Sequence, residues 1–219
     1  MAKRSETTKS PATAGDFPIH EAMERLKIAV GAWRLPIVTQ YAVERHDPFR
    51  VLISTVISLR TKDAVTEAAS KRLFALAKTP RELSELSEET IAQAIYPAGF
   101  YKTKAQSLRK IAFRLLIDHA GQVPDDLDTL LALPGVGRKT ANLALTLGYG
   151  KQGICVDTHV HRITNRLGYV DTPTPEATEM ALRTKLPAEY WIPINDYLVS
   201  FGQHLCLPTS PFCSRCPLA

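Results

Sequence analysis

The chain has 219 residues, 45% of them hydrophobic, and carries 27 Lys and Arg against 22 Asp and Glu for a formal net charge of +5. No apolar run is long enough to cross a bilayer, which excludes a helix-spanning membrane protein, and so much apolar content excludes a chain disordered throughout. The basic excess is modest; it fits a partner bearing phosphates but does not by itself demand one.

Residues 1–15, MAKRSETTKSPATAG, are polar and lack the apolar core of a secretory signal, so they read as a disordered tail on a soluble, cytoplasmic protein. Glu21 to Trp33 repeats apolar residues at helical spacing, and residues 16–38 are expected to form an N-terminal helix that packs with the C-terminal part. Phe49 to Leu59, FRVLISTVISL, would suit a buried strand, but a lone strand has no partner and a buried helix is the better reading. Asp63 to Ala77 is helical in pattern. Thr79-Pro80-Arg81-Glu82 has the cap, first-turn proline and third-position acid of a helix start, and Ser87 opens another helix. Lys104 to Asp118 alternates cationic and apolar faces until His119-Ala120-Gly121, and Thr174-Pro175-Glu176 starts a further helix. The expectation is an all-α fold of about ten helices, with a barrel-like helical unit over 39–150, a boundary near Gly150, and a C-terminal helical unit over 151–219.

In Asp126 to Gly150 a short helix leads through Pro134-Gly135-Val136-Gly137 into a second helix beginning near Arg138, a helix-hairpin-helix pattern. Glycines at 135 and 137 permit positive φ, and main-chain N–H groups beside a helix N-terminus suit an anion such as one DNA phosphate. Gly135, Val136, Gly137 and Arg138 are therefore candidate DNA contacts, although an ordinary interhelical turn has the same local pattern. Lys139 directly behind the turn is unexplained by turn geometry. Further on, Asp157 in Cys155-Val156-Asp157-Thr158-His159 sits where the next helix needs its N-cap, a role worth roughly 1 kcal/mol. It also offers a carboxylate able to stabilise positive charge or manage a proton, and a lysine amine sheltered beside a helix start suits a nucleophile.

LPGVGRKTA followed by VDTHVHR resembles the signature of the endonuclease III family of base-excision DNA glycosylases, in the helix-hairpin-helix superfamily whose motif ends in Gly/Pro…Asp, and the likeness runs from about Ile19 to Ala219. The resemblance implies a two-part helical enzyme that flips a damaged base out of duplex DNA into a cleft between the parts. It implies that Lys139 attacks C1′ and expels the base, that the resulting Schiff base permits β-elimination, and that Asp157 assists base loss. Relatives that only excise bases generally lack this lysine. A duplex carrying oxidised pyrimidines or abasic sites is the expected partner, and a monomer the expected state. A glycosylase for mismatched or oxidised purines, or a non-enzymatic hairpin protein, are the competing readings.

Two further segments resemble the family's DNA-penetrating loops. Ser58 to Asp63 carries Arg60 where glutamine is common, and Ala98 to Lys104 carries Phe100 as an apolar wedge. A side chain that fills the gap left by an extruded base offsets part of the cost of extrusion. The structural alternatives are Phe100 in the core and Arg60 as a solvated helix end. Cys206-x6-Cys213-x2-Cys216 is similar to the first three ligands of the family's [4Fe–4S] loop, with a fourth cysteine expected at about position 222, past Ala219. Cys206, Cys213, Cys216 and His204 could instead form a Cys3His zinc set, and Cys155 reads as a small buried hydrophobe. His159 and His161 lie near Asp157 but read equally well as packed histidines.

Overall fold

The structure is a computed structural model that describes residues 17–33, 38–39 and 47–219. The expected tail at 1–15 lies outside the described residues, as do residues 34–37 and 40–46 of the two segments that follow it. Among the described residues there is no strand, and no helix is long and apolar enough to cross a membrane.

Helix α1 (Ile19–Val30) is followed by α2 (Pro48–Ser58), the FRVLISTVISL segment, which is buried on nearly every side. Asp47 caps it by accepting from the N–H groups of Phe49 and Arg50 at 3.0 and 3.2 Å. Helix α3 (Asp63–Leu76) leads to α4 (Pro80–Glu85), where the Thr79 hydroxyl accepts from the Glu82 N–H at 3.2 Å and Glu82 reaches back to the Lys78 N–H at 2.6 Å. Helix α5 (Glu88–Ile95) is capped by Ser87, and α6 (Tyr101–Asp118) starts three residues earlier than its apolar rhythm implies because Phe100 turns the chain directly into it. The hairpin consists of α7 (Leu127–Leu131) and α8 (Arg138–Leu143), and α8 runs on into a π-helical turn at Ala144–Gly148. There Gly148 lies so close to Pro48 that a Cβ would stand 3.0 Å from its Cα. Helices α9 (Thr158–Arg166), α10 (Pro175–Lys185) and α11 (Pro193–His204) follow, with Asp157 and Thr174 as the caps of α9 and α10.

Two hydrophobic cores organise these helices. One joins Leu52, Ile53 and Ile57 of α2 to Leu73, Ile91, Leu108, Ile111 and, in the hairpin, Leu130 and Val136. The other joins Met23 and Leu26 of α1 to Val160, Ile163, Leu182, Leu198 and Phe201 of α9 to α11. Each such fully buried aliphatic side chain contributes about 1.5–3 kcal/mol against the unfolded chain. The chain passes from one core to the other between Gly150 and Asp157, and the start of α8 and the start of α9 face each other across the seam.

Candidate active site

Lys139 stands in the first turn of α8 and Asp157 caps α9, and the two helix starts bring Lys139 Nζ to 3.7 Å from Asp157 Oδ2. The two oxygens of Asp157 do different work. Oδ1 accepts from the N–H groups of His159 and Val160 at 2.8 and 2.9 Å, which fixes the carboxylate, and Oδ2 is left for Lys139. The Asp157 side chain is 8% exposed and that of Lys139 36%. Both line an open cavity of about 290 Å³ with Ser58, Arg60, Thr61 and Asp63 from one side and His159 and Asn195 from the other. Asn195 donates to the Cys155 carbonyl at 3.2 Å, tying α11 to the strap behind the site, and burial pushes the Cys155 thiol well above its ordinary pKa, which makes it inert packing beneath Lys139. Burial also lowers the pKa of His159, against the pull of Asp157, so the ring beside the carboxylate is neutral at pH 7.

The hairpin departs in detail from the expectation. Gly135 has φ +77°, where a side chain is strained and would press on Ser107, but Gly137 has φ −96° and ψ 176°, an extended geometry open to any residue. A Cβ on Gly137 would meet nothing within 4 Å of this chain. Val136 is 7% exposed and its N–H donates to the Leu133 carbonyl at 3.2 Å, so its side chain belongs to the core. The guanidinium of Arg138 is held in two hydrogen bonds, at 3.0 and 2.7 Å, by Glu179 of α10, which is 3% exposed. Gly135 and Gly137 are exposed, and the first N–H groups of α8 beside them have no acceptor within the helix. Phe100 is 63% exposed rather than core, and the Arg60 guanidinium stands 5.5 Å above its ring.

Residues 53–188, which hold the hairpin, Lys139 and Asp157, match the family described as HhH-GPD superfamily base excision DNA repair protein. Over 170 residues the chain is 52% identical to the endonuclease III of Thermotoga maritima, covering 78% of this chain and 80% of that one. The chain belongs to the endonuclease III family. It is also 46% identical to endonuclease III homolog 1, chloroplastic, of Arabidopsis thaliana, a match covering 78% of this chain but 48% of that longer protein. The solved structure of a trapped endonuclease III–DNA covalent intermediate superposes with a TM-score of 0.80 at 32% identity, over 91% of this chain and 92% of that chain.

Within this endonuclease III fold, sequence reasoning passed over three residues around the site. Asp63 lines the cavity, a first-turn acid whose only local signal was helix-start chemistry. Glu179 takes hydrogen bonds from Arg138, Arg183 and Asn142; burial alone would raise its pKa, but the two guanidinium groups outweigh burial and hold it below the ordinary carboxylate value. Lys104 is 7% exposed and reaches three oxygens of the Arg60 turn.

The three clustered cysteines border one small cavity of about 30 Å³ walled by Phe201, Leu205, Pro211 and Phe212, and Arg166 Nη1 stands 3.5 Å from Cys206 Sγ. Three thiols on one apolar cavity beside a cation fit the donor chemistry of an iron–sulfur cluster in kind, and number three of the four it requires. No group of three or more His, Cys, Asp or Glu among the described residues is arranged to hold a metal ion. His204 does not join the cysteines: its ring stacks on Trp33 at 4.5 Å and its Nδ1 bonds the Ser200 carbonyl at 2.8 Å. His161 is likewise occupied, by Thr178 at 2.7 Å.

Proposed function

We propose that the chain is a bifunctional DNA glycosylase and AP lyase of base excision repair that removes oxidised pyrimidines from duplex DNA through Lys139 and Asp157. The observation that carries the reading is the single approach of Lys139 Nζ to Asp157 Oδ2 inside a cavity directly behind the hairpin. The hairpin N–H groups hold a backbone phosphate, and the flipped nucleotide enters the cavity with Lys139 beside its sugar. Lys139 gives up a proton, for which Asp157 Oδ2 is the carboxylate oxygen in reach, and the free amine bonds to C1′ as the bond from C1′ to the base breaks and the base leaves with the electron pair and a proton. Opening of the sugar ring converts the adduct into an imine. Loss of a C2′ proton then expels the 3′ phosphate oxygen, which nicks the strand, and water releases the lysine. The fixed carboxylate at 3.7 Å stabilises the cationic sugar and imine along this path.

The same reading makes the protein a monomer that acts on damaged or abasic duplex DNA in the cytoplasm, on the nucleoid if the source is bacterial. Arg60 and Phe100 are its penetrating tips, Gly135, Val136, Gly137 and Arg138 its hairpin. Cys206, Cys213 and Cys216 would be three of four thiolates holding a [4Fe–4S] cluster, which when bound would stabilise the cysteine-rich end.

Borohydride reduction in the presence of duplexes carrying a panel of lesions tests the assignment. Covalent capture on oxidised-pyrimidine duplexes is expected; capture on mismatched or oxidised purines alone would move the substrate class, and no capture with any duplex or abasic site would remove the lyase.

A further inference from the structure

The two turns that face DNA in this reading, at Arg60 and at Phe100, come from sequence segments about forty residues apart, and both tips have positive φ, 51° for Arg60 and 57° for Phe100. A left-handed conformation in a residue with a side chain costs about 1–2 kcal/mol and persists only where its surroundings hold it. Here the surroundings are shared. Lys104, one turn into the helix that follows Phe100, sends its side chain back under both tips, and its Nζ donates to the Ile57 carbonyl at 2.6 Å, the Leu59 carbonyl at 2.5 Å and the Thr61 hydroxyl at 2.9 Å. An ammonium has three protons to give, and all three find an acceptor. The Thr61 hydroxyl also accepts from the Gly99 N–H at 3.0 Å and donates to the Leu59 carbonyl at 3.2 Å, so it uses its one donor and both acceptor positions. Gly99 permits this approach because a Cβ there would stand 2.4 Å from the Arg60 carbonyl oxygen. The carbonyls of Ile57 and Leu59 lie at the C-terminal end of α2, where the helix dipole favours a cation. Burial draws the Lys104 pKa down to about 8, which still leaves the amine charged at neutral pH.

We propose that Lys104 is a positioning residue for base extrusion, joining the Arg60 turn to the Phe100 turn so that the two tips enter the duplex as one rigid fork. This rests on the glycosylase reading above. The fork explains a bond pattern that stability alone does not require: a buried ammonium is spent on two carbonyls at the end of α2 and a hydroxyl at the base of two exposed tips, rather than on a carboxylate. It acts through Arg60 and Phe100; it does not itself line the cavity of Lys139 and meets that cavity's wall only through the back of the Arg60 turn.

The test compares Lys104→Met with the wild type on two substrates carrying the same oxidised pyrimidine, one fully paired and one in an unpaired bubble where extrusion costs little. Single-turnover excision from the paired duplex is expected to fall by about 10²-fold, the loss typical when a positioning group is displaced by about an ångström. Excision from the bubble is expected to stay near the wild-type rate, and 2-aminopurine placed beside the lesion should show slower extrusion. An equal fractional loss on both substrates, or no loss on either, overturns the proposal. Thr61→Val, which keeps the ammonium and both carbonyls but removes the shared hydroxyl, provides the second variant should Lys104→Met fail to give a cooperative melt; it must lower the ratio of paired to bubble rates in the same direction, and an unchanged ratio refutes the fork. A wild-type protein inactive on both substrates would count against the glycosylase reading instead.

Discussion

Asp157→Asn separates the capping contact of one side-chain oxygen from the chemical role proposed for the other. Asparagine caps a helix as well as aspartate does, and its carbonyl oxygen can take the place of Oδ1 on the N–H groups of His159 and Val160. Its NH2 group then faces Lys139, where it can neither take a proton nor stabilise a cation. The cap survives, and the stability lost is that of a negative charge near a helix N-terminus, about 0.3–1 kcal/mol, a fall in melting temperature of roughly 1–4 °C for a chain of this size. Base release should slow by about 10²–10⁴-fold, the range for a lost acid or base group. Asp157→Ala removes the cap as well and should cost about 1 kcal/mol more at the same chemical defect. Thermal melts followed by circular dichroism and single-turnover excision on one lesion duplex measure both quantities. If Asp157→Asn melts as low as Asp157→Ala, or excises within about threefold of wild type when a lost proton-transfer group should cost at least 10²-fold, the division between capping oxygen and catalytic oxygen is wrong.

Lys139→Gln should lose nicking and borohydride capture while retaining duplex affinity, since the hairpin main chain is untouched; persistent capture, read on a denaturing gel, would move the nucleophile elsewhere. Glu179→Gln removes the 3%-exposed carboxylate that takes hydrogen bonds from both Arg138 and Arg183, and should cost about 3 kcal/mol or about 10 °C in melting temperature, and lower both catalytic steps through the displaced start of α8. A melt unchanged within 2 °C, where about 10 °C is expected, would show the cluster to be energetically idle. Asp196, half-buried and accepting from the Thr39 hydroxyl at 2.6 Å, has its pKa raised by burial from 3.8 to about 6. The folded chain therefore holds this proton over a window in which the unfolded chain has released it, and stability falls as pH rises from about 4 through 6. Asp196→Asn should remove that fall, gaining up to roughly 3 kcal/mol over wild type at pH 7.5 and little at pH 4; urea melts at the two pH values giving the same difference would refute the assignment.

Much of this protein is legible in the sequence where the physics is local. Asp157, Thr79, Ser87 and Thr174 read as caps and are caps, because a side-chain oxygen and an N–H two or three residues on decide the matter between themselves. The Phe49 to Leu59 segment reads as a buried helix by elimination, and it is one because no strand among the described residues stands ready to pair with it. The glycines of the hairpin were only half legible: both permit positive φ, but which of them uses it depends on how the turn seats against Ser107. What the tertiary structure alone decided joins positions far apart in the chain. Nothing in the spacing tells that Arg138 gives its guanidinium to Glu179, or that Lys104 turns back under Arg60. Nor does it give the 3.7 Å between Lys139 and Asp157, which depends on how two separate cores set two helix starts against each other. Periodicity and caps are carried by neighbours along the chain, whereas a buried charge finds its partner only after the cores have closed around it.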